Sequence, residues 1–132
     1  MIDKIELFGK EIKLTTHSCH LFDQPAVEIE EPYVNFYIRT KFCNAKCAFC
    51  TYADDANKLS LERLEEVFKE ITSKIKIRKV AVSGGEPTLY WDNFVNITNM
   101  ALKWTPDSEL SMNTDGFRWK QLFEDPIYKH YH

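Results

Sequence analysis

The chain has 132 residues, 44% apolar and 28% charged, with a net charge of −3. That is the composition of one globular domain with a core of its own, and it offers no overall basic face for nucleic acid. No run approaches the roughly 18 consecutive apolar residues of a membrane span.

The first segment reads as a strand pair. Lys4-Ile5-Glu6-Leu7-Phe8 and Glu11-Ile12-Lys13-Leu14 alternate at period two about Gly9-Lys10, so a β-hairpin is expected there. Residues 15–32 read as a loop with a short extended piece, Ala26 to Glu30, bracketed by Pro25 and Pro32. Strand–helix units follow. Tyr33 to Arg39 alternates with Val34, Phe36 and Ile38 on one face. Ser60 is placed to cap a helix carrying Leu61, Leu64, Phe68, Ile71 and Ile75 on one side. Val80-Ala81-Val82 is short and continuously apolar, as in a strand buried on both faces of a parallel sheet. A second helix is expected from about Trp91 to Trp104, ended by Thr105-Pro106, with Phe94, Ile97, Ala101 and Trp104 inward. Glu109 to Asn113 reads as a third strand, and Phe117 to His132 as a helix with a closing segment. The alternation implies an α/β fold built on a parallel sheet or part of a barrel. The divisions are residues 1–32, hairpin and loop, and 33–132, the α/β core.

Chemistry-bearing residues gather where these strands end. Cys43, Cys47 and Cys50 lie in the run Cys43-Asn44-Ala45-Lys46-Cys47-Ala48-Phe49-Cys50. Soft thiolates select zinc, copper(I) or iron–sulfur centres. Three thiolates on a four-site centre leave one position open, which points to chemistry rather than scaffolding. Ser83-Gly84-Gly85-Glu86-Pro87 follows the second strand of this sheet, and Asn113-Thr114-Asp115-Gly116 ends the third. In parallel α/β folds, ligands bind at the C-terminal ends of strands. One functional site made from all three loops is therefore expected. Cysteines packed this tightly do not form a disulfide framework, and the start of the chain, Met1 to Glu6, lacks the apolar core of a secretory signal. A cytoplasmic location is expected.

The cysteine spacing, the aromatic Phe49 before the last cysteine and the Gly-Gly-Glu-Pro segment together resemble the radical S-adenosylmethionine (SAM) superfamily, over roughly residues 33 to 116. The resemblance implies part of a partial (β/α) barrel. It implies a [4Fe–4S] cluster held by Cys43, Cys47 and Cys50, with the open iron chelated by SAM. Reductive cleavage of SAM to a 5′-deoxyadenosyl radical, which takes hydrogen from an unknown substrate, is the implied reaction. Phe49, Gly84, Gly85, Glu86, Asn113 and Thr114 are the implied SAM contacts: Phe49 by the adenine, Glu86 and nearby carbonyls toward the ammonium, Asn113 and Thr114 toward ribose, carboxylate or substrate. An external reductant such as flavodoxin or ferredoxin is implied as well. About three strand–helix units are fewer than a whole family domain carries, and the tail is too short for more, since each βαβ unit takes about 30 residues. A fragment, a compact variant or one half of an assembly is expected, with a homo-oligomer or a complementing subunit covering the open sheet edge.

Two other readings stay open at this stage. A zinc-binding or iron–sulfur electron-transfer module would need a closing ligand, for which Cys19, His17 and His20 are the candidates. An inactive accessory subunit would keep the fold and lend its site to a partner. Ordinary turn chemistry also accounts for Asp115-Gly116. Arg39 and Lys41, beside the cysteine loop, are read either as offsetting cluster charge or as merely solvated basic residues on a loop edge.

Overall fold

Among the described residues there are five strands, in two sheets, and three α-helices. The computed structural model describes residues 4–13, 33–40, 42–50 and 60–132. Leu14, Cys19, His17, His20, Lys41 and the extended piece from Ala26 to Glu30 lie outside the described residues.

Strands β1 (Lys4–Leu7) and β2 (Lys10–Lys13) pair antiparallel, with Leu7 opposite Lys10. The two-residue link is Phe8-Gly9, one position earlier than the sequence pattern implies. Both residues hold positive φ, 50° and 72°, the geometry of a type I′ turn, whose twist matches that of the flanking strands. A phenylalanine is strained there. Its contacts with the following helix offset the strain: Glu70 Oε1 accepts the Phe8 N–H at 3.3 Å, and the Arg63 guanidinium lies 4.6 Å over the Phe8 ring.

The second sheet is β3 (Tyr33–Arg39), β4 (Lys76–Ser83) and β5 (Glu109–Met112), parallel and in the order β3-β4-β5. Helix α1 (Leu61–Thr72) joins β3 to β4, and α2 (Trp91–Trp104) joins β4 to β5. Ser60 caps α1, its side chain accepting the Arg63 N–H at 3.2 Å. Thr105 closes α2 through its N–H to the Ala101 carbonyl at 2.8 Å. Strand β4 extends well beyond Val80–Val82, because Ile77 is buried between exposed Lys76 and Arg78 and continues the pleat toward the N-terminus. Phe36, Val80 and Leu110 stand level across the three strands, as do Ile38 and Val82. They pack against Leu64 and Phe68 of α1 and Ile97 and Ala101 of α2. Burying a side chain of this size stabilises by about 1.5–3 kcal/mol before entropy is counted. Phe68 meets Phe36 edge-on, with ring centroids 5.0 Å apart.

A second cluster fastens the tail. Helix α3 (Trp119–Glu124) and a 3₁₀ turn (Pro126–His130) place Leu122 and Ile127 against Phe94 of α2. Tyr131 then bridges Leu110 in parallel at the β5 edge, and the His132 N–H donates to the Leu110 carbonyl at 2.9 Å. Among the described residues, no helix is long and apolar enough to cross a membrane.

Register decides where the loops emerge. A shift between Val34 and Asn35 brings Arg39 opposite Ser83, and Val82 faces Met112. The three loops therefore leave the sheet almost level, at one end.

Candidate active site

The β4 loop is the centre of this end. Glu86, Pro87 and Thr88 are buried, Glu86 at 2% exposure. Such burial requires partners, since an unpaired buried carboxylate is costly. Glu86 Oε1 accepts the Thr88 N–H at 3.1 Å, the Thr88 hydroxyl at 2.6 Å and the Thr114 hydroxyl at 2.6 Å. Oε2 accepts the Asp115 N–H at 2.6 Å. The Glu86 N–H donates to the Phe42 carbonyl at 2.6 Å, at the entry to the cysteine loop. One residue thus joins all three loops.

Gly84 and Gly85 both have positive φ, 72° and 67°, backbone that L side chains rarely adopt. A Cβ on Gly85 would lie 2.3 Å from the Phe42 carbonyl oxygen, and one on Gly84 would lie 2.9 Å from Cγ of Arg39. The close approach at Gly85 is therefore backbone against backbone, between the β4 loop and the start of the cysteine loop. Buried Thr40 adds a further tie, its N–H donating to Ser83 and Gly84 carbonyls at 3.1 Å and its hydroxyl to Gly84 at 2.7 Å. The Phe42 ring meets Tyr90 edge-on at 5.5 Å.

Beyond Phe42 the cysteine loop turns outward. Cys43 is half-buried, while Cys47 and Cys50 are exposed, and all three are free thiols. The Cys50 N–H donates to the Cys47 carbonyl at 3.0 Å, and the Ala45 N–H points at Cys43 Sγ at 3.4 Å. Phe49 is 88% exposed. The donor set fits an iron–sulfur centre: soft sulfurs on one short loop, with a backbone N–H already directed at one of them. Among the described residues, no three Cys, His, Asp or Glu side chains are gathered at a metal-binding point.

On the β5 loop, the Asn113 N–H donates to the Val82 carbonyl at 3.1 Å, and the residue is otherwise exposed. The Thr114 hydroxyl, besides its bond to Glu86, accepts the Gly116 N–H at 3.1 Å. Asp115 Oδ1 accepts the Phe117 N–H at 3.0 Å, an Asx turn of the kind that the Asp-Gly pair foreshadows. The Arg118 guanidinium reaches back to the Leu89 carbonyl at 3.2 Å. Thr40, Phe42 and Thr88 are the site residues that the sequence pattern does not single out. The partners of Thr40 and Phe42 lie far along the chain, whereas Thr88 meets Glu86 two residues away, a spacing that carries a local cue.

The three-thiol loop, the double-glycine loop and the polar turn thus meet at one end of the parallel sheet of an α/β domain. The family profile described as the radical SAM superfamily matches residues 37–126. The chain belongs to that superfamily. A "Probable GTP 3′,8-cyclase" of Thermococcus kodakarensis is 36% identical over 96 residues, covering 69% of this chain. The chain spans 30% of that relative's length.

Proposed function

We propose that this chain is the cluster- and SAM-binding part of a radical SAM enzyme, one section of a partial (β/α) barrel. The observation that carries the reading is the meeting of the cysteine loop, the Gly84-Gly85-Glu86-Pro87 loop and the β5 loop at one end of a parallel sheet, tied through Glu86. Cys43, Cys47 and Cys50 would hold a [4Fe–4S] cluster and leave one iron open. When bound, the cluster and SAM supply a one-electron reductive cleavage that generates a carbon radical. The protein's own part is placement. Gly85 would offer a backbone carbonyl unscreened by a side chain of its own, which suits a ligand ammonium, while the Gly84 carbonyl is held by the Thr40 N–H and hydroxyl. Phe49 is free to cover an adenine ring, and Asn113 and Thr114 lie on the wall nearest the β4 loop. Exposed Lys46 beside the thiols suits an acidic electron donor such as flavodoxin or ferredoxin. A cytoplasmic setting keeps the thiols reduced. A second copy or a complementing subunit would enclose the substrate, whose chemistry stays open; GTP, from the relative's name, is the first candidate.

The test is anaerobic reconstitution with iron and sulfide, then dithionite and SAM, with and without GTP. Chromatography should detect 5′-deoxyadenosine from the parent and none from Cys47→Ala. A reconstituted parent that leaves SAM intact would overturn the reading.

A further inference from the structure

Glu86 sits in the loop assigned to SAM, yet its carboxylate is occupied. Three donors converge on Oε1 and one on Oε2, within 2.6–3.1 Å. A carboxylate has about four lone-pair sites, and the residue is 2% exposed. Oε1 has no lone pair to spare, and a ligand ammonium would reach the one left on Oε2 only by opening a residue that is buried, or would displace a buried donor and leave it unpaired, which is unfavourable. Two of the four donors, the Thr114 hydroxyl and the Asp115 N–H, belong to the β5 loop, 28 and 29 residues away. The backbone N–H of the same residue holds the Phe42 carbonyl.

We infer that Glu86 is a positioning residue: its carboxylate fixes the β5 loop against the β4 loop, and so shapes the SAM-binding wall, without touching the cofactor. The inference rests on the proposed function and deepens it. All four donors are neutral, so the carboxylate charge is held by aligned N–H and O–H dipoles, an arrangement that suits a rigid tie better than an exchangeable ligand contact. Glu86→Gln keeps the shape but replaces one oxygen with an NH₂ group. Either the three-donor oxygen is lost or the Asp115 N–H faces another N–H. Thr114→Val removes one tie from the other side and leaves the carboxylate in place.

Two measurements test this. The first needs no cofactor: amide hydrogen exchange on the full chain. Glu86→Gln should speed exchange at Asp115 by about tenfold or more, with Val80 and Val82 in the core unchanged. The second uses the reconstituted protein with SAM as the probe, reading affinity from the change in the reduced cluster's EPR signal. Glu86→Gln and Thr114→Val should each weaken SAM by roughly tenfold with iron content retained. The double variant should be within about threefold of the weaker single one, where independent contacts would multiply to roughly 100-fold. Thr114→Ser should restore affinity to within about threefold of the parent. If Glu86→Gln does not fold, Thr114→Val and its Ser rescue carry the test. Unchanged exchange at Asp115, or single effects that multiply, would overturn the inference. A parent that gives no SAM response would overturn the proposed function instead, and the exchange result would still decide whether the tie exists.

Discussion

The cysteine loop and the β4 loop sit at the same end of the sheet and are built on opposite plans. Past Phe42, the cysteine loop exposes two of its three thiols, and its hydrogen bonds among the described residues are local ones, between Cys47 and Cys50 and between Ala45 and Cys43. The β4 loop buries its glutamate, proline and threonine and is cross-linked to both neighbours. The difference teaches where order comes from. The β4 and β5 loops are tied together by the protein's own hydrogen bonds, whereas the thiol loop, on the proposed function, would gain its final shape from the cluster. Binding to a formed wall avoids the ordering cost that a flexible one would carry. A cluster can organise its own thiolates because metal–sulfur bonds outweigh the entropy of a short loop.

If that contrast holds, changes in the two loops should fail differently. The largest effect is all-or-none. Replacing Cys43, Cys47 or Cys50 with Ala should abolish the visible iron–sulfur absorption after reconstitution. The denaturation midpoint of the cluster-free Cys47→Ala chain should stay within about 0.5 kcal/mol of the parent, as for exposed positions. A stability loss in the cluster-free protein would break the contrast. Next comes Gly85→Ala. Its Cβ would lie 2.3 Å from the Phe42 carbonyl oxygen at a φ of +67°, so about 2 kcal/mol or more should be lost in urea denaturation. Iron loading should fall with it, because the moved backbone leads straight to Cys43. Thr88→Val takes one donor, the hydroxyl, from the buried Glu86 carboxylate, and should cost about 1–3 kcal/mol by the same measurement. Iron loading should hold there, since the Thr88 hydroxyl and N–H both donate to Glu86, within the β4 loop.

The smallest effect concerns the tail. Burial pushes the Tyr131 phenol up to about 12, while a hydrogen bond with Thr98 partly opposes that shift. The fold therefore favours the neutral phenol. Its contribution should be present in full below about pH 10, the ordinary tyrosine value, and be lost as pH rises toward 12. Tyr131→Phe should flatten that alkaline decline in a pH series of melting curves, and leave iron loading unchanged.

Local patterns were enough to read the units of the fold. The bounds of α2 follow from Trp91 to Trp104 and the Thr105-Pro106 stop, and Ser60 marks the start of α1, because caps and apolar periodicity act within a few residues. The reach of β4 was harder to see, since Lys76, Arg78 and Lys79 dilute the apolar run on which the strand reading rested. The hairpin turn fell one residue early because a phenylalanine at positive φ contradicts turn preference and is tolerated through α1. At the site, the three loops and their thiols were legible from spacing and strand order. The tie through Glu86 was not, because Thr114 and Asp115 lie 28 and 29 residues downstream and meet it only through sheet register.

The central claim is that the thiol loop and the double-glycine loop form one cofactor site. EPR of the reconstituted, dithionite-reduced protein, recorded with and without SAM, tests it most directly. The account predicts a [4Fe–4S]⁺ signal from the parent that changes on adding SAM, absent in Cys50→Ala, and unresponsive to SAM or lost altogether in Gly85→Ala. A cluster signal that is the same with and without SAM would contradict it.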